Sequence, residues 1–264
     1  HSNGGSFGSG DLNILPTYFD WSWTDFEGSK VAVITESHFH LVDQVKESIK
    51  IALIIEPYSI HSAHYDWIKK EENYKKFDIV LTHQLHLLAI DERFKPYVFG
   101  GCWIHQKDWS IYPKTKDVSI IVSAKRMTAN HELRHEVVAK LAKKYKIDVF
   151  GGGYNPIEFK LEALKEYKYS IVIENDSTDG WFTEKINDCF ALGTIPIFVG
   201  ASNIGDYFDM MGILYCRNID DIESALIHTR CILRYEDRMS AIKNNFEKVK
   251  QHAIPEDFIW ENYL

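Results

Sequence analysis

Apolar residues fall along this chain in short β-branched runs, and between the runs hydrophobic positions recur at the three-to-four-residue spacing of helices. KVAVITE (30–36), IALIIE (51–56) and DIVLTH (78–83) read as three strands, with a fourth predicted at 97–101. A helical pattern covers 40–50, Pro57 stops the second strand, and 58–76 is polar and partly helical. Strands this continuously apolar are buried on both faces, as in a parallel sheet with helices above and below it. The pattern lapses over 102–116, where Trp103, Trp109 and Pro113 sit in loop-like sequence. It resumes with a strand at 118–124, a helix over 130–145 and a strand at 147–150, then Gly151-Gly152-Gly153, which suits a tight backbone approach. A short helix, the stretch 168–200, a strand near 213–216 and helices over 220–230 and 235–252 follow.

Two successive α/β domains are thus expected: residues 11–105, a linker at 106–116, and residues 117–245, with a terminal helix or tail (246–264) expected to pack back on the first domain. Residues 11–28 are rich in aromatics (Tyr18, Phe19, Trp21, Trp23, Phe26) and read as core under a long loop, with a substrate-side loop as the other reading. Residues 1–10, HSNGGSFGSG, look like a tag and linker remnant.

The stretch 168–200, KYSIVIENDSTDGWFTEKINDCFALGTIPIFVG, organises the rest. Residues 169–173 form a buried strand, and the polar run from Glu174 to Gly180 must leave the sheet. Thr183 is placed to cap a helix with Glu184 in its first turn and Ile186, Cys189, Phe190 and Leu192 along its apolar stripe. Gly193 stops that helix and 194–199 resumes as a strand. In open α/β sheets ligands bind beyond the carboxyl ends of the strands, where helix N-termini offer free N–H groups to anions. The densest polar cluster of the chain therefore lies where a phosphorylated ligand would bind.

Composition narrows the class further. The chain has 264 residues, 45% hydrophobic and 26% charged, enough for a sizeable core. A net charge of -8 argues against a nucleic-acid or acidic-membrane surface, so an anionic ligand must be met by a few placed cations. No apolar run reaches the length of a membrane span. Cys102, Cys189, Cys216 and Cys231 are widely spaced with no metal-like pairing, and read as reduced residues of a cytoplasmic protein.

ENDSTDGWFTEK, the helix after it and GTIPIFVG together resemble the donor-binding signature of the α1,3/4-fucosyltransferases, glycosyltransferase family 10. The resemblance is firm over about 117–200. It implies a GT-B architecture, two Rossmann-like domains facing a cleft, and an inverting transfer of a sugar, most simply L-fucose from GDP-fucose, onto a hydroxyl of a glycan acceptor. The N-terminal domain would present the acceptor and the base. No metal or other cofactor is implied. Two alternatives stand beside this reading: another nucleotide sugar on the same fold, or a glycan- or nucleotide-binding protein without catalysis. Because some relatives carry a Golgi anchor, a soluble fragment of an anchored enzyme is the alternative to a cytoplasmic location.

Such a transfer needs a base, cations for the departing diphosphate, and a rigid hold on the nucleotide. By the resemblance, Lys185 and Arg134 meet the diphosphate, with Lys125 and Arg126 in the preceding loop able to share the task, and Glu184 holds the ribose. Glu174 and Asn175 would face the donor sugar or the pyrophosphate, with Thr183 at the helix cap. Trp181 stands where most relatives carry tyrosine; it loses a hydroxyl and keeps a ring able to stack. The base is Glu56, at the end of the second strand, or Glu36, at the end of the first. One string points elsewhere. His131-Glu132-Leu133-Arg134-His135 matches the HExxH pattern of zinc proteases, two histidines one helical turn apart. Arg134 is a charge where such helices are apolar and a third ligand is not evident beyond Glu158 or Glu162, so no metal site is expected.

Overall fold

The computed structural model describes residues 15–18, 20, 28–46, 49–98, 100–232, 234–252 and 254–264. The 1–10 segment and the aromatics Phe19, Trp21, Trp23 and Phe26 lie outside the described residues.

Four parallel strands build the first sheet: β1 (Val31–Thr35), β2 (Ile49–Leu53), β3 (Ile79–Thr82) and β4 (Phe94–Pro96), paired in that order. A 3₁₀ run (Glu36–Gln44), α1 (Tyr58–Ile68) and α2 (Glu71–Tyr74) connect them. The helix expected over 40–50 is this 3₁₀ run, shifted towards β1. Phe39, Val42 and Val45 are all buried at three-residue spacing, the period of a 3₁₀ helix, and β2 already begins at Ile49. The fourth strand likewise falls at 94–96, not 97–101. Beyond it Tyr97 is a buried side chain and Gly101 donates its N–H to His252 O instead of to a strand.

Five parallel strands build the second sheet: β5 (Lys116–Ile121), β6 (Asp148–Phe150), β7 (Tyr167–Ile173), β8 (Ile195–Val199) and β9 (Leu214–Tyr215), in the order β6-β5-β7-β8-β9. The helices are α3 (Ala129–Val137), which continues through a π turn (Val138–Ala142) into α4 (Lys143–Tyr145), then α5 (Leu161–Leu164), α6 (Glu184–Ala191), α7 (Ile219–His228), α8 (Met239–Val249) and α9 (Pro255–Tyr263). Alternate strand residues face opposite cores. Ile120, Ile171 and Ile197 pack with Val137, Leu141 and Leu226 on one face; Val172 and Phe198 pack with Ile186, Phe190 and Val249 on the other.

In the first sheet Ala32, Ile34, Ala52 and Val80 pack under Phe39, Tyr65 and Phe77. Its other face, Ile51, Leu53 and Leu81, is closed by Ile259 of α9 and by Trp181 from the loop after β7. The chain thus crosses back after α8, and Tyr263 Oη donates to Pro96 O at the sheet edge. The described stretch 15–18 rests on the same helix, with Tyr18 Oη donating to Glu261 and Thr17 N–H to Asp257. No helix among the described residues is long and apolar enough to cross a membrane.

Candidate functional site

The second sheet reverses direction between β5 and β7: β6 lies on one side of β5, and β7, β8 and β9 run away on the other. Loops leaving neighbouring strands towards opposite sides part at such a switch point and open a crevice at the carboxyl ends. A cavity of about 420 Å³ occupies it, lined by Ser123, Lys125, Arg134, Asn175, Thr183, Glu184 and Lys185 from the second sheet's loops and helices and by Ile55 and Glu56 from the first. A larger cavity of about 600 Å³ lies at the opposite ends of β5 and β7. Several of its cations serve local carboxylates and helix C-termini, as when Lys144 meets Glu223, Lys168 meets Glu236 and Arg230 donates to Tyr145 O, whereas the smaller one gathers charged groups from both sheets.

The start of α6 is wired from beneath. Thr183 caps the helix, its Oγ1 accepting the Lys185 N–H at 3.4 Å. Glu174, fully buried at the end of β7, accepts from the Thr183 N–H (2.9 Å) and hydroxyl (2.8 Å) and from Lys185 Nζ (3.1 Å). Glu174 was expected to face the donor. It is instead spent inside the protein, holding the first turn of α6, because three donors converge on its carboxylate there. Lys185 Nζ also donates to Thr183 Oγ1 (2.8 Å) and lies 3.7 Å from Glu184.

Arg134 comes from α3 and is 6% exposed. It donates through Nε to Ile173 O (2.9 Å) and through Nη2 to Asn175 Oδ1 (2.8 Å), so it clamps the end of β7 while bordering the cleft. Lys125 lines the cleft. Arg126 does not: it is exposed and paired with Glu132, since the loop turns its side chain outward. Trp181 borders the cleft but is 1% exposed, and its indole N–H donates 2.8 Å to Ile55 O across the two sheets. Its ring is a plug in the first sheet's core, not an open stacking platform.

Glu56 and Glu36 divide plainly. Glu36 is 6% exposed and accepts the backbone N–H groups of Ile55 (3.2 Å) and Glu56 (2.9 Å), fixing the turn after β2. Glu56 lines the cleft, and its Oε2 is buried without a partner among the described residues. Burial first, then the Glu36 carboxylate, raises the Glu56 carboxyl above the ordinary range, with Lys185 pulling the other way.

The two histidines of the HELRH string turn to different partners. His131 Nδ1 pairs with Thr128 Oγ1 (2.8 Å) inside the cap of α3, and His135 Nδ1 meets Tyr154 Oη (3.0 Å). Burial, then Arg134, lowers His131 to about 4.

Sequence reasoning missed Lys160, Asp188 and Trp103. Lys160, just ahead of α5, donates to Glu184 (3.0 Å) and Asp188 (2.8 Å) and lies 4.2 Å over the Trp103 ring. Burial alone would raise Glu184; the Lys160 and Lys185 ammoniums overcome it and hold the carboxyl down at about 2. The signal that could have found Asp188 is its i+4 spacing from Glu184, one turn further along the same helix. Nothing in the sequence ties Lys160 to them.

Residues 111–213 match the family model described as glycosyltransferase family 10 (fucosyltransferase), C-terminal part. The chain is 31% identical over 74 residues to an α-(1,3)-fucosyltransferase of Helicobacter pylori, over 28% of this chain and 15% of that protein. It is 27% identical over 117 residues to a fucosyltransferase-like protein of Arabidopsis thaliana, over 43% of this chain and 23% of that protein. These matches span less than a quarter of the curated relatives' length. A crystal structure of an α1,3-fucosyltransferase with GDP-fucose superposes with a TM-score of 0.52 at 16% identity, covering 82% of this chain and 76% of that one. The shared architecture of two parallel α/β sheets about a cleft is the GT-B fold.

Proposed function

We propose that this chain, whose residues 111–213 match the model of glycosyltransferase family 10, transfers a sugar with inversion from a GDP-sugar, GDP-fucose in the simplest case, to a hydroxyl of a glycan acceptor. One observation carries the reading: a single cleft at the switch point gathers, from one sheet, a carboxylate whose Oε2 has no partner among the described residues and, from the other, a wired cluster of cations and acceptors. Glu56 takes the proton from the acceptor hydroxyl as that oxygen attacks the anomeric carbon. Its partnerless oxygen and its raised carboxyl suit a group that must accept a proton near neutral pH.

On the other side the bond to the diphosphate breaks and charge grows on the leaving oxygen. Lys185 meets that charge from the first turn of α6, with the helix N–H groups beside it, and Arg134 and Lys125 border the same space. Glu184 accepts the ribose hydroxyls. Lys185 is pre-positioned by Glu174 and Thr183, so little reorganisation is needed as charge develops. Lys185→Ala is expected to weaken GDP binding and to lower kcat/KM by a larger factor, of order 10²–10³. Calorimetry with GDP paired with transfer kinetics checks it. Unchanged binding and transfer would make the cluster purely structural.

A further inference from the structure

Lys160 lies outside every motif that led to the site, yet it sits at the centre of the cleft's charge network. Its side chain is 18% exposed and is held from three sides: Glu184 at 3.0 Å, Asp188 at 2.8 Å and the Trp103 ring at 4.2 Å. Asp188 is itself fixed, because its other oxygen accepts the Trp103 N–H at 2.6 Å and the Cys102 thiol at 3.4 Å. The ammonium therefore has one place to be. We propose that Lys160 is a positioning residue for the donor: it holds the Glu184 carboxylate in place to receive the nucleotide's ribose and ties it, through Asp188, to the segment joining the two sheets. This rests on the donor reading above and names the residue on which its ribose contact depends.

A stabilising role alone explains the arrangement poorly. Desolvating two ions offsets most of what their attraction returns, and apolar residues of similar size would pack as well. What the ion pair supplies is a defined chemical state. Around Glu184 stand Lys160 from ahead of α5, Lys185 and Asp188 on its own helix and Arg134 from α3, and Glu174 at the end of β7 shares Lys185 with it. Two of these neighbours are carboxylates, and burial also favours the protonated acid. Take away Lys160 and the balance tips towards uptake of a proton. A protonated carboxyl loses part of its capacity to accept hydroxyl hydrogen bonds. Burial by itself would equally drive Lys160 towards the neutral amine, but Asp188 and Glu184 hold it charged, above its ordinary value.

The test uses Lys160→Met, which keeps the stem against Trp103, and Lys160→Arg, which keeps the charge. In the free protein, carbon-13 NMR follows the Glu184 carboxyl through acid. The parent should titrate near 2, the Met variant above the ordinary carboxylate range, and the Arg variant near the parent. Calorimetry with GDP should show the Met variant weakened about tenfold at pH ~8 and further at pH ~5, with the Arg variant largely restored. A purely structural role would not produce that pH dependence. Lys160→Gln carries the same two measurements should the Met variant fail to fold. Parent-like titration of Glu184, or parent-like GDP affinity at both pH values, overturns the proposal. A parent that binds no GDP overturns the donor reading instead, and the NMR titration still decides whether Lys160 governs Glu184.

Discussion

At the scale of single residues the two candidate bases are separated by what their oxygens touch. Glu36 has both oxygens on backbone N–H groups, whereas Glu56 has a buried oxygen with no partner among the described residues. A base must be unprotonated, so kcat/KM should rise with pH through the Glu56 value, which burial and Glu36 place above the ordinary carboxylate range, and then level off. Glu56→Gln should lower turnover by about 10²-fold, abolish that acidic limb and leave GDP affinity nearly unchanged. Glu36→Gln removes the like charge beside Glu56, so the limb should move to lower pH while activity survives. If instead Glu36→Gln is inactive and Glu56→Gln retains the limb, the roles are reversed.

At the scale of elements, α6 is the piece on which the site depends. Its outward end carries Glu184 and Lys185; its inner side carries Asn187, which donates to Gly101 O, and Asp188, which holds Trp103. One helix thus orders both the ligand groups and the crossing between sheets. Its first turn is fixed by Thr183, whose hydroxyl donates to Glu174 and accepts from Lys185. Thr183→Ala removes the cap and one donor from a fully buried carboxylate, so unfolding stability should drop by about 1–3 kcal/mol. Thr183→Ser should stay within about 0.5 kcal/mol of the parent, since it keeps the hydroxyl. Urea denaturation of both variants measures this; equal losses would mean that the methyl's packing, not the hydroxyl, matters.

At the scale of the whole molecule, the two sheets are joined by exchange. The second half lends Trp181 to the first sheet's core, and the chain's end returns as α9 to cover the same face with Ile259. Ile259 is 2% exposed against Ile51, Leu53 and Leu81. Ile259→Ala should therefore cost about 2–5 kcal/mol, read as a lower denaturation midpoint at unchanged slope. A loss well under 1 kcal/mol would show α9 to be only loosely seated. The overall charge of -8 also bears on the site, because the long-range field repels a diphosphate. Lining the cleft, Lys125, Arg134, Lys160 and Lys185 stand against Glu56, Glu184 and Asp188, with Glu174 holding Lys185 from beneath, so affinity must come from placement and not from a large cationic surplus.

The two-sheet α/β class and the helix from Thr183 to Gly193 were legible in the chain alone, because apolar periodicity, caps and glycine stops are local properties. The location of the crevice was legible for the same reason: polar residues after a buried strand have to leave the sheet. Where two residues compete for one role, the sequence is silent. Glu36 and Glu56 each end a strand, and only the folded turn shows which carboxylate takes up the backbone N–H groups. Glu174 and Arg126 looked like ligand groups because type and position suggested it, but side-chain direction is set by which donors converge nearby, and one was drawn inward and the other turned out. Lys160, Asp188 and Trp103 come from three separate stretches. Their meeting depends on how the stretch around Trp103, α5 and α6 pack, and that is decided by tertiary structure alone.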